Sequence, residues 1–483
     1  MASVRVALLL VAPSGFSKQE REKRASMVLR SMAHPSELIL KDVRCFEGEQ
    51  RGRLRPITLL LGENSTGKST FLACFSVIHR MLSGFADEME DSPDFNREPF
   101  SMGSFRDIVR SRRGPSGRID EFQLGLELNQ QRKGLPTRVL ATFVEQGSQP
   151  VQRSCRYGFG PSDFIDLQLD EKGKTKLLVP GGAAEIDLPA QLWRVGLGFL
   201  VHDSWSERNS PGAQEVISYA QRLLNLGKDE DRVAWTSKFM MRGLLRTSLV
   251  PIAPLRAKPK RTYDPVREID SPEGEHIPML MMRLDHGEKK KWRSLHDDLV
   301  DFGKDSGLFS DIKVRRHGKQ ISDPFQLKVK VQSGSHANIM DVGYGVSQSL
   351  PILVSLLSTN SKVSPARGIR SSNRTFLLQQ PEVHLHPRGQ AELAELFARV
   401  AKKGRNRFLI ETHSDYIVDR MRILVRQKIL RPDDISIIFF EPRKNAVQMH
   451  NIFLDKFGNL KNAPDSYRSF FLKETDRLLG FDD

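Results

Sequence analysis

The sequence predicts an α/β fold with a mixed or parallel sheet, split in the chain by a largely helical insertion. Three observations predict it. The apolar run Ile57-Thr58-Leu59-Leu60-Leu61 enters the loop Gly62-Glu63-Asn64-Ser65-Thr66-Gly67-Lys68-Ser69 and continues into Thr70-Phe71-Leu72-Ala73-Cys74-Phe75, which reads as strand, glycine loop and helix. Far downstream, two more apolar runs, 374–378 and 406–410, each end in a cluster of polar residues, the place where a parallel sheet puts its chemistry. Between these halves, residues 150–335 lose their strong patterning and are punctuated by glycine and proline.

In chain order, Ser36–Val43 alternates weakly and reads as a strand with one buried face. Residues 48–53 read as a turn, followed by the strand of the glycine loop. A helix is expected over 68–82, with Phe71, Leu72, Phe75, Val77 and Ile78 on its apolar surface. Residues 87–99 are acidic and irregular, broken by Pro93 and Pro99. The loop 102–107 precedes a basic patch at Arg110, Arg112 and Arg113, and strands resume over 121–128 and 138–144. Helices are expected near 213–228, 232–247 and 284–302, with 251–263 as a proline-broken connector carrying Arg256, Lys258, Lys260 and Arg261. The segment Asn338–Leu353 reads as a glycine-rich turn leading into an apolar helix with Ser347 near its start. No repeat of 20–50 residues and no sustained heptad pattern is present, which excludes a solenoid and a long coiled-coil arm.

The loop at 62–69 has the G-x-x-x-x-G-K-S spacing of a phosphate cradle. Its glycines let backbone N–H groups turn toward an anion, and the helix that follows points its positive end at the same place. In this arrangement Lys68 reaches the β- and γ-phosphates of a nucleotide, and the Ser69 hydroxyl ligates Mg²⁺. Ser347 and its neighbouring N–H groups could hold an anion, or serve simply as helix-capping chemistry. The residues Glu382, His384, His386, Glu411 and His413 could be read as a metal cluster, but no helical His-x₃-His spacing accompanies them.

The composition agrees with a large protein of two or three domains. Three scattered cysteines, Cys45, Cys74 and Cys155, suit a reducing cytoplasm and argue against a zinc site. A formal net charge of +15 favours anionic partners such as nucleic acid, or marks only a basic surface. No apolar stretch approaches the ~18–20 residues of a membrane-spanning helix. Residues 1–34 read as an N-terminal extension ahead of an N-terminal lobe over 35–150. The insertion then spans 151–335 and a C-terminal lobe 336–483.

Taken together, several stretches resemble the ABC-type ATPases of the OLD-like group, often labelled AAA-family ATPases. The resemblance covers roughly 36–480 and rests on the phosphate loop, Gly103-Ser104-Phe105 and Pro254-Leu255-Arg256-Ala257. It also rests on Gly343-Tyr344-Gly345-Val346-Ser347-Gln348, on Pro381-Glu382-Val383-His384-Leu385-His386-Pro387 and on Glu411-Thr412-His413-Ser414. It implies ATP and Mg²⁺ bound between two subunits. One subunit's loop, Gly62 to Thr70, grips the nucleotide, and the other's turn, with Gly345, Ser347 and Gln348, caps the γ-phosphate. It further implies that His413 is a switch histidine touching the γ-phosphate, that Leu385-His386 crosses the dimer interface, and that Arg256 is a phosphate, interface or plain surface residue.

The resemblance implies Asp-Glu-Pro, or in this group Glu-Glu-Pro or Glu-Gln-Pro, after the second-half strand, where this chain has Gln379-Gln380-Pro381. By register, Gln379 stands at the metal-supporting position and Gln380 at the water-activating one. An amide is neutral and a poor base, so slow ATP hydrolysis is expected, with Glu382 a partial substitute. Either the glutamines belong to a slow, switch-like ATPase, or Gln379 replaces a carboxylate so as to hold the ATP-bound state.

About 70 residues follow His413, too few for the Toprim nuclease that relatives of this kind often carry. The resemblance therefore implies an ATP-gated sensor and scaffold of anti-phage defence. It would self-assemble into a dimer or larger oligomer and control a separate effector, with the Septu type and its HNH nuclease a candidate. The alternatives are a DNA-repair or DNA-clamping ATPase, using the basic patches at 110–113, 258–261, 289–293 and 313–316, and an assembly factor in which ATP is purely structural.

Overall fold

In a computed structural model, the described residues are 34–83, 93–111, 119–129, 134–170, 173–186, 211–224, 244–245, 247–265, 271–331, 334–358, 373–404, 406–467, 469 and 477–479. Most of the N-terminal extension, most of the helix expected over 232–247, Arg112 and Arg113 lie outside them.

Strands β1 (His34–Val43) and β2 (Phe46–Arg53) form a hairpin, and β3 (Ile57–Gly62) leads to helix α1 (Lys68–Leu82). After the short α2 (Phe105–Ile108) come β4 (Glu121–Asn129), β5 (Arg138–Gln146) and β6 (Gln149–Gly158). Then follow β7 (Phe164–Leu169), β8 (Thr175–Val179), β9 (Gly182–Ile186), α3 (Pro211–Leu223) and β10 (Ser248–Ile252). Helices α4 (Ile277–Gly287) and α5 (Lys289–Ser306) precede β11 (Asp311–Arg316), β12 (Phe325–Lys330) and β13 (His336–Asn338). The second half holds α6 (Tyr344–Leu357), β14 (Arg374–Gln379), α7 (Pro387–Gly404), β15 (Arg407–Glu411), α8 (Asp415–Arg426), β16 (Ile435–Arg443), β17 (Ala446–Leu454) and the two-residue β18 (Leu460–Lys461).

One large sheet organises these elements, in the order β10-β14-β15-β3-β16-β17-β2-β1-β4-β5-β6-β7-β8-β9, with β18 on β17; β11-β12-β13 form a second, small sheet. The first five strands are parallel. From β2 through β1 and β4 to β9 every pairing is antiparallel. The sheet is thus mixed, and the fold is α/β.

The two-residue period of the parallel strands splits their side chains between two cores. Leu60, Leu377, Leu409 and Ile438 pack with α1 and the antiparallel strands. Leu59, Leu378, Ile410 and Ile437 pack with α4 to α8 on the opposite face. This double burial explains why β14 and β15 read as unbroken apolar runs.

Four local expectations change. Residues 48–53 are not a turn but the body of β2; the chain reverses at 44–45, where Asp42 and Arg44 adopt positive φ. The turn-like composition of β2 belongs to a strand between β17 and β1, whose buried Gln50 donates to the Val447 carbonyl at 2.7 Å. The connector 251–263 begins inside β10, where Pro251 is tolerated because β10 ends the sheet and its outer edge needs no N–H. The helix expected over 284–302 is two helices, broken at Glu288, whose φ and ψ of −129° and 56° leave the helical region just after Gly287. The loop 102–107 contains α2, opened by a capping box between Ser104 and Asp107.

Within 151–335, the helices α3, α4 and α5 alternate with strands. Of these, β6 to β9 extend the antiparallel wing and β10 joins the parallel end.

Candidate functional site

Strand β3 ends at Gly62, and the loop to α1 is folded around Lys68. The Lys68 side chain is buried, and its Nζ donates to the carbonyls of Gly62 at 2.9 Å and Glu63 at 2.5 Å. Thr66 Oγ1 donates to Glu63 O at 2.8 Å and ties the loop from the other side. Gly67 is the residue before the helix, at φ 90°, and a Cβ there would lie 2.6 Å from Cys45 Sγ. Glycine is therefore required by both torsion and space. Desolvation pushes the Lys68 ammonium below its ordinary pKa, with Glu411 and Glu63 opposing the shift. A phosphate would restore the partner charge that burial removes.

The next strand outward from β3 is β15, and β14 lies beyond it. Their registers pair Leu60 with Glu411 and Glu411 with Gln379, so all three stand at one level and on one face. Ser69, in the first turn of α1, donates its hydroxyl proton to Glu411 Oε2 at 2.7 Å. Gln379 is buried, and its Oε1 has no hydrogen-bond partner. Gln380 sits in the left-handed region at φ 43°, and its N–H donates to the Glu411 carbonyl at 2.8 Å. The two strand tips are thereby locked together.

Glu382 is buried beneath this edge. Its Oε1 accepts the His413 N–H at 2.7 Å, and its Oε2 is without a partner. Burial pushes its carboxyl above the ordinary range, against hydrogen bonds from the His413 and Glu382 backbones and Thr412, and the charge of Arg256. His413 lies between the end of β15 and α8. Ser414 caps α8 by accepting the Ile417 N–H at 3.1 Å. Desolvation first, then Lys68, pushes the His413 imidazole below its ordinary range, with Glu411 opposing. The shift favours the neutral ring, which can donate from one nitrogen while accepting at the other.

The turn at Gly343–Gln348 forms a second cluster. Helix α6 starts after Gly343, so Ser347 lies within the first turn rather than at the cap; its hydroxyl donates to Tyr344 O at 2.9 Å. A Cβ on Gly345 would meet the His384 carbonyl at 2.5 Å, so that glycine lets the turn press against the loop following β14. Arg256 joins the clusters. Its N–H donates to Gln348 Oε1 at 3.3 Å, and its guanidinium donates to Gln380 O at 3.1 Å. It is buried, not a surface arginine, and its Nε and Nη1 are unpartnered. Burial lowers its pKa to about 10, with Glu382 opposing.

The phosphate loop, Gln379, Gln380, Glu382 and His413 therefore converge on the ends of β3, β15 and β14. The Gly345 backbone presses on the loop after β14, and Gln348 joins that loop through Arg256. The sequence placed Glu411 in a motif and in a possible metal cluster with histidines, but did not mark it as the partner of Ser69. Its position at a strand tip, level with Gln379, was the available signal. Arg44 was also missed: its Nη1 donates to Thr70 Oγ1 at 3.2 Å and its Nη2 to Met102 O at 2.9 Å, bracing α1 from outside. Among the described residues, no group of three or more His, Cys, Asp or Glu could hold a metal ion, so the histidines at 384, 386 and 413 form no such cluster. An Mg²⁺ bound with a nucleotide needs only one or two protein oxygens beside phosphates and water, which Ser69 and its neighbours can supply.

Part of each basic patch is occupied within the chain. Arg110 is buried and donates to Asn445 O at 2.7 Å and Cys45 O at 3.2 Å. Arg261 pairs with Asp341, Lys289 with Asp285, Lys291 with Glu288, and Lys313 with Asp311. Among the described residues, no helix is long and apolar enough to cross a membrane.

Residues 282–418 match the family model described as AAA ATPase domain. The matched segment holds the Gly343–Gln348 turn, the β14 tip and His413, and it begins well after the phosphate loop. No curated protein matches the chain. Similar solved structures include the SMC head bound to the C-winged helix domain of ScpA, at 13% identity, covering 88% of this chain and 98% of that one, with a TM-score of 0.40. The Pyrococcus furiosus SMC head bound to the C-terminal domain of ScpA is 10% identical, with coverages of 92% and 100% and a TM-score of 0.40. The SMC head domain from Thermotoga maritima is 11% identical, with coverages of 86% and 98% and a TM-score of 0.34.

Proposed function

We propose that the chain is an ABC-type ATPase that binds Mg²⁺ and ATP and works as a slow, nucleotide-gated switch. The observation that carries this reading is the buried Lys68 held over the Gly62 and Glu63 carbonyls, beside a strand edge that gathers Ser69, Gln379, Glu382 and His413. In this reading the loop from Gly62 through Asn64, Ser65 and Gly67 to Thr70 wraps the triphosphate with N–H groups. Lys68 then turns from the carbonyls to the phosphates.

The oxygens of Ser69 and Gln379 face the metal side. The family's Mg²⁺ fits this donor set, since Ser69 offers a hydroxyl oxygen and Gln379 Oε1 is a buried acceptor without a donor. When bound, the ion neutralises phosphate charge. His413 approaches the γ-phosphate from the β15 side. Gln379 and Gln380 provide no base, so turnover depends on Glu382, whose free Oε2 and raised pKa suit it to accept a proton.

The likeness of the Gly343–Gln348 turn to a signature element supports a reading in which Gly345, Ser347 and Gln348 cap ATP bound to a second copy. Closure of the pair then depends on the γ-phosphate. The sequence resemblance supports a finer reading: the switch belongs to an anti-phage sensor and scaffold in the cytoplasm that governs a separate effector, such as an HNH nuclease. Direct DNA clamping is supported by exposed cations, such as Lys290 and Arg293, that form no ion pair among the described residues. Binding to DNA with a steep salt dependence would favour it.

Calorimetric titration with ATP and sedimentation with and without ATP test the switch. Lys68→Ala should weaken ATP binding about 100-fold or more, as expected when charge-assisted bonds worth about 1.5–3 kcal/mol each are lost. Ser347→Arg should leave ATP binding near wild type and abolish the ATP-dependent dimer. A wild-type chain that stays monomeric with ATP bound would sink the two-subunit mechanism.

A further inference from the structure

The carboxylate expected at the tip of β14 is missing, yet the site does contain a well-placed negative charge one strand away. We propose that Glu411, at the end of β15, supplies the charge that holds the nucleotide's divalent metal, with Gln379 as a neutral acceptor for a metal-bound water. This rests on the nucleotide-binding reading above and assigns the metal-holding role to a residue outside the glutamine pair.

Three observations support it. First, position: β15 lies directly between β3 and β14, and the register aligns Glu411 with both Leu60 and Gln379. The side chain shares the face of Leu60 and Leu409, which pack with the residues of α1. Glu411 is therefore nearer to the first turn of α1 than any residue of β14 at the same level.

Second, the hydrogen bond: Ser69 Oγ donates to Glu411 Oε2 at 2.7 Å. A hydroxyl has one proton and two lone pairs. With the proton committed to a carboxylate, both lone pairs remain free, and the oxygen is more electron-rich toward a cation.

Third, the charge itself: Glu411 is buried, and among the described residues no lysine or arginine forms an ion pair with it. Lys68 adds only a longer-range attraction, because its ammonium is taken up by Gly62 O and Glu63 O. A buried carboxylate without a paired cation is costly unless one is delivered. The unpartnered Gln379 Oε1 beside it is a second acceptor without a donor. Both deficits are relieved by a hydrated divalent cation arriving with the phosphates.

Neither glutamine meets these conditions. An amide oxygen contributes no charge, and Gln380 is occupied in holding the tips together through its backbone. Glu382 carries charge, but its Oε1 is engaged by the His413 N–H. The arrangement explains how a chain with no acid at the β14 tip can keep a metal while losing the usual base.

The test is titration of Mn²⁺ into the full chain saturated with ADP, read by electron paramagnetic resonance of free Mn²⁺. Nucleotide affinity in EDTA is measured alongside as the control for the phosphate loop. Glu411→Gln should weaken Mn²⁺ binding about 10–100-fold, the range seen when a metal's supporting carboxylates are removed, and leave ADP affinity in EDTA within about twofold. Adding Gln379→Glu to that variant should recover Mn²⁺ affinity by returning a charge on the neighbouring strand, which a purely structural role would not do.

If Glu411→Gln does not fold, Glu411→Asp keeps the charge but shortens its reach, and should weaken Mn²⁺ binding in the same assay. Unchanged Mn²⁺ affinity in the folded variants, with ADP still bound, overturns the assignment alone. Failure of the wild-type chain to bind ADP in EDTA overturns the nucleotide reading beneath it.

Discussion

The parallel end and the antiparallel wing belong to one sheet but are built on different rules. In β3, β14 and β15, almost every residue is buried regardless of alternation. In β2 and β8, buried and exposed residues alternate. A strand covered on both faces has no side chain to spare for chemistry along its length, so polar residues collect where it ends. Ser69, Gln379, Glu382, Glu411 and His413 all gather at that edge. The wing uses its exposed positions for ion pairs such as Arg51 with Glu49 and Arg138 with Glu49, and its β1–β2 turn braces the phosphate loop from outside, Arg44 donating to Thr70 Oγ1. The comparison teaches that the wing is support for α1 and that the parallel edge is where the chemistry-bearing side chains gather.

The sharpest way to break that distinction is at the edge itself. Glu382→Gln should abolish residual ATP turnover by a factor of about 10²–10⁴, the usual contribution of a positioned base, while ATP binding persists. Turnover that survives this change would move the base elsewhere. It is read by phosphate release under saturating ATP.

Next come the strand interiors. Phe408→Ala, in a residue fully buried and stacked on Phe376 at 5.2 Å, should cost about 3–5 kcal/mol by chemical denaturation. Lys176→Ala, on the exposed face of β8, should stay within about 0.5 kcal/mol. Similar losses at both sites would erase the contrast.

The smallest effect is electrostatic and lies outside both regions. Asp311 accepts His296 Nε2 and His336 Nε2, each at 2.8 Å, and pairs with Lys313. Burial alone would raise its pKa, but these three partners outweigh burial and bring it down to about 2. A folded-state pKa below the unfolded value gives stability that is present above about pH 4 and lost as pH falls through about 2. Because the cluster is partly open to water, the contribution should be about 1 kcal/mol or less. The stability difference between wild type and Asp311→Asn should therefore shrink between pH 5 and pH 2.

Local rules made a good part of this legible in advance. The β3–loop–α1 unit was readable because its strand, glycines, lysine and helix are contiguous, and α1 spans Lys68–Leu82 as its apolar spacing predicts. The tips of β14 and β15 were readable for the same reason, each being an apolar run that ends in polar residues. Polar or broken segments misled: Gln50 looked like turn chemistry, though its amide substitutes for a strand partner across the sheet. Arg110 read as part of a basic patch and Arg256 as a phosphate, interface or plain surface residue, yet carbonyls far away in the chain hold both inside.

By itself, the sequence determined which short stretches can grip phosphates and that the β14 tip carries amides instead of acids, because both are matters of residue type at fixed local spacing. Only the tertiary structure decided the strand order that puts β15 between β3 and β14. That order sets Glu411 against Ser69, residues 342 positions apart in the chain. Sheet order depends on which strands bury each other's faces, a long-range choice that no local pattern of residues encodes.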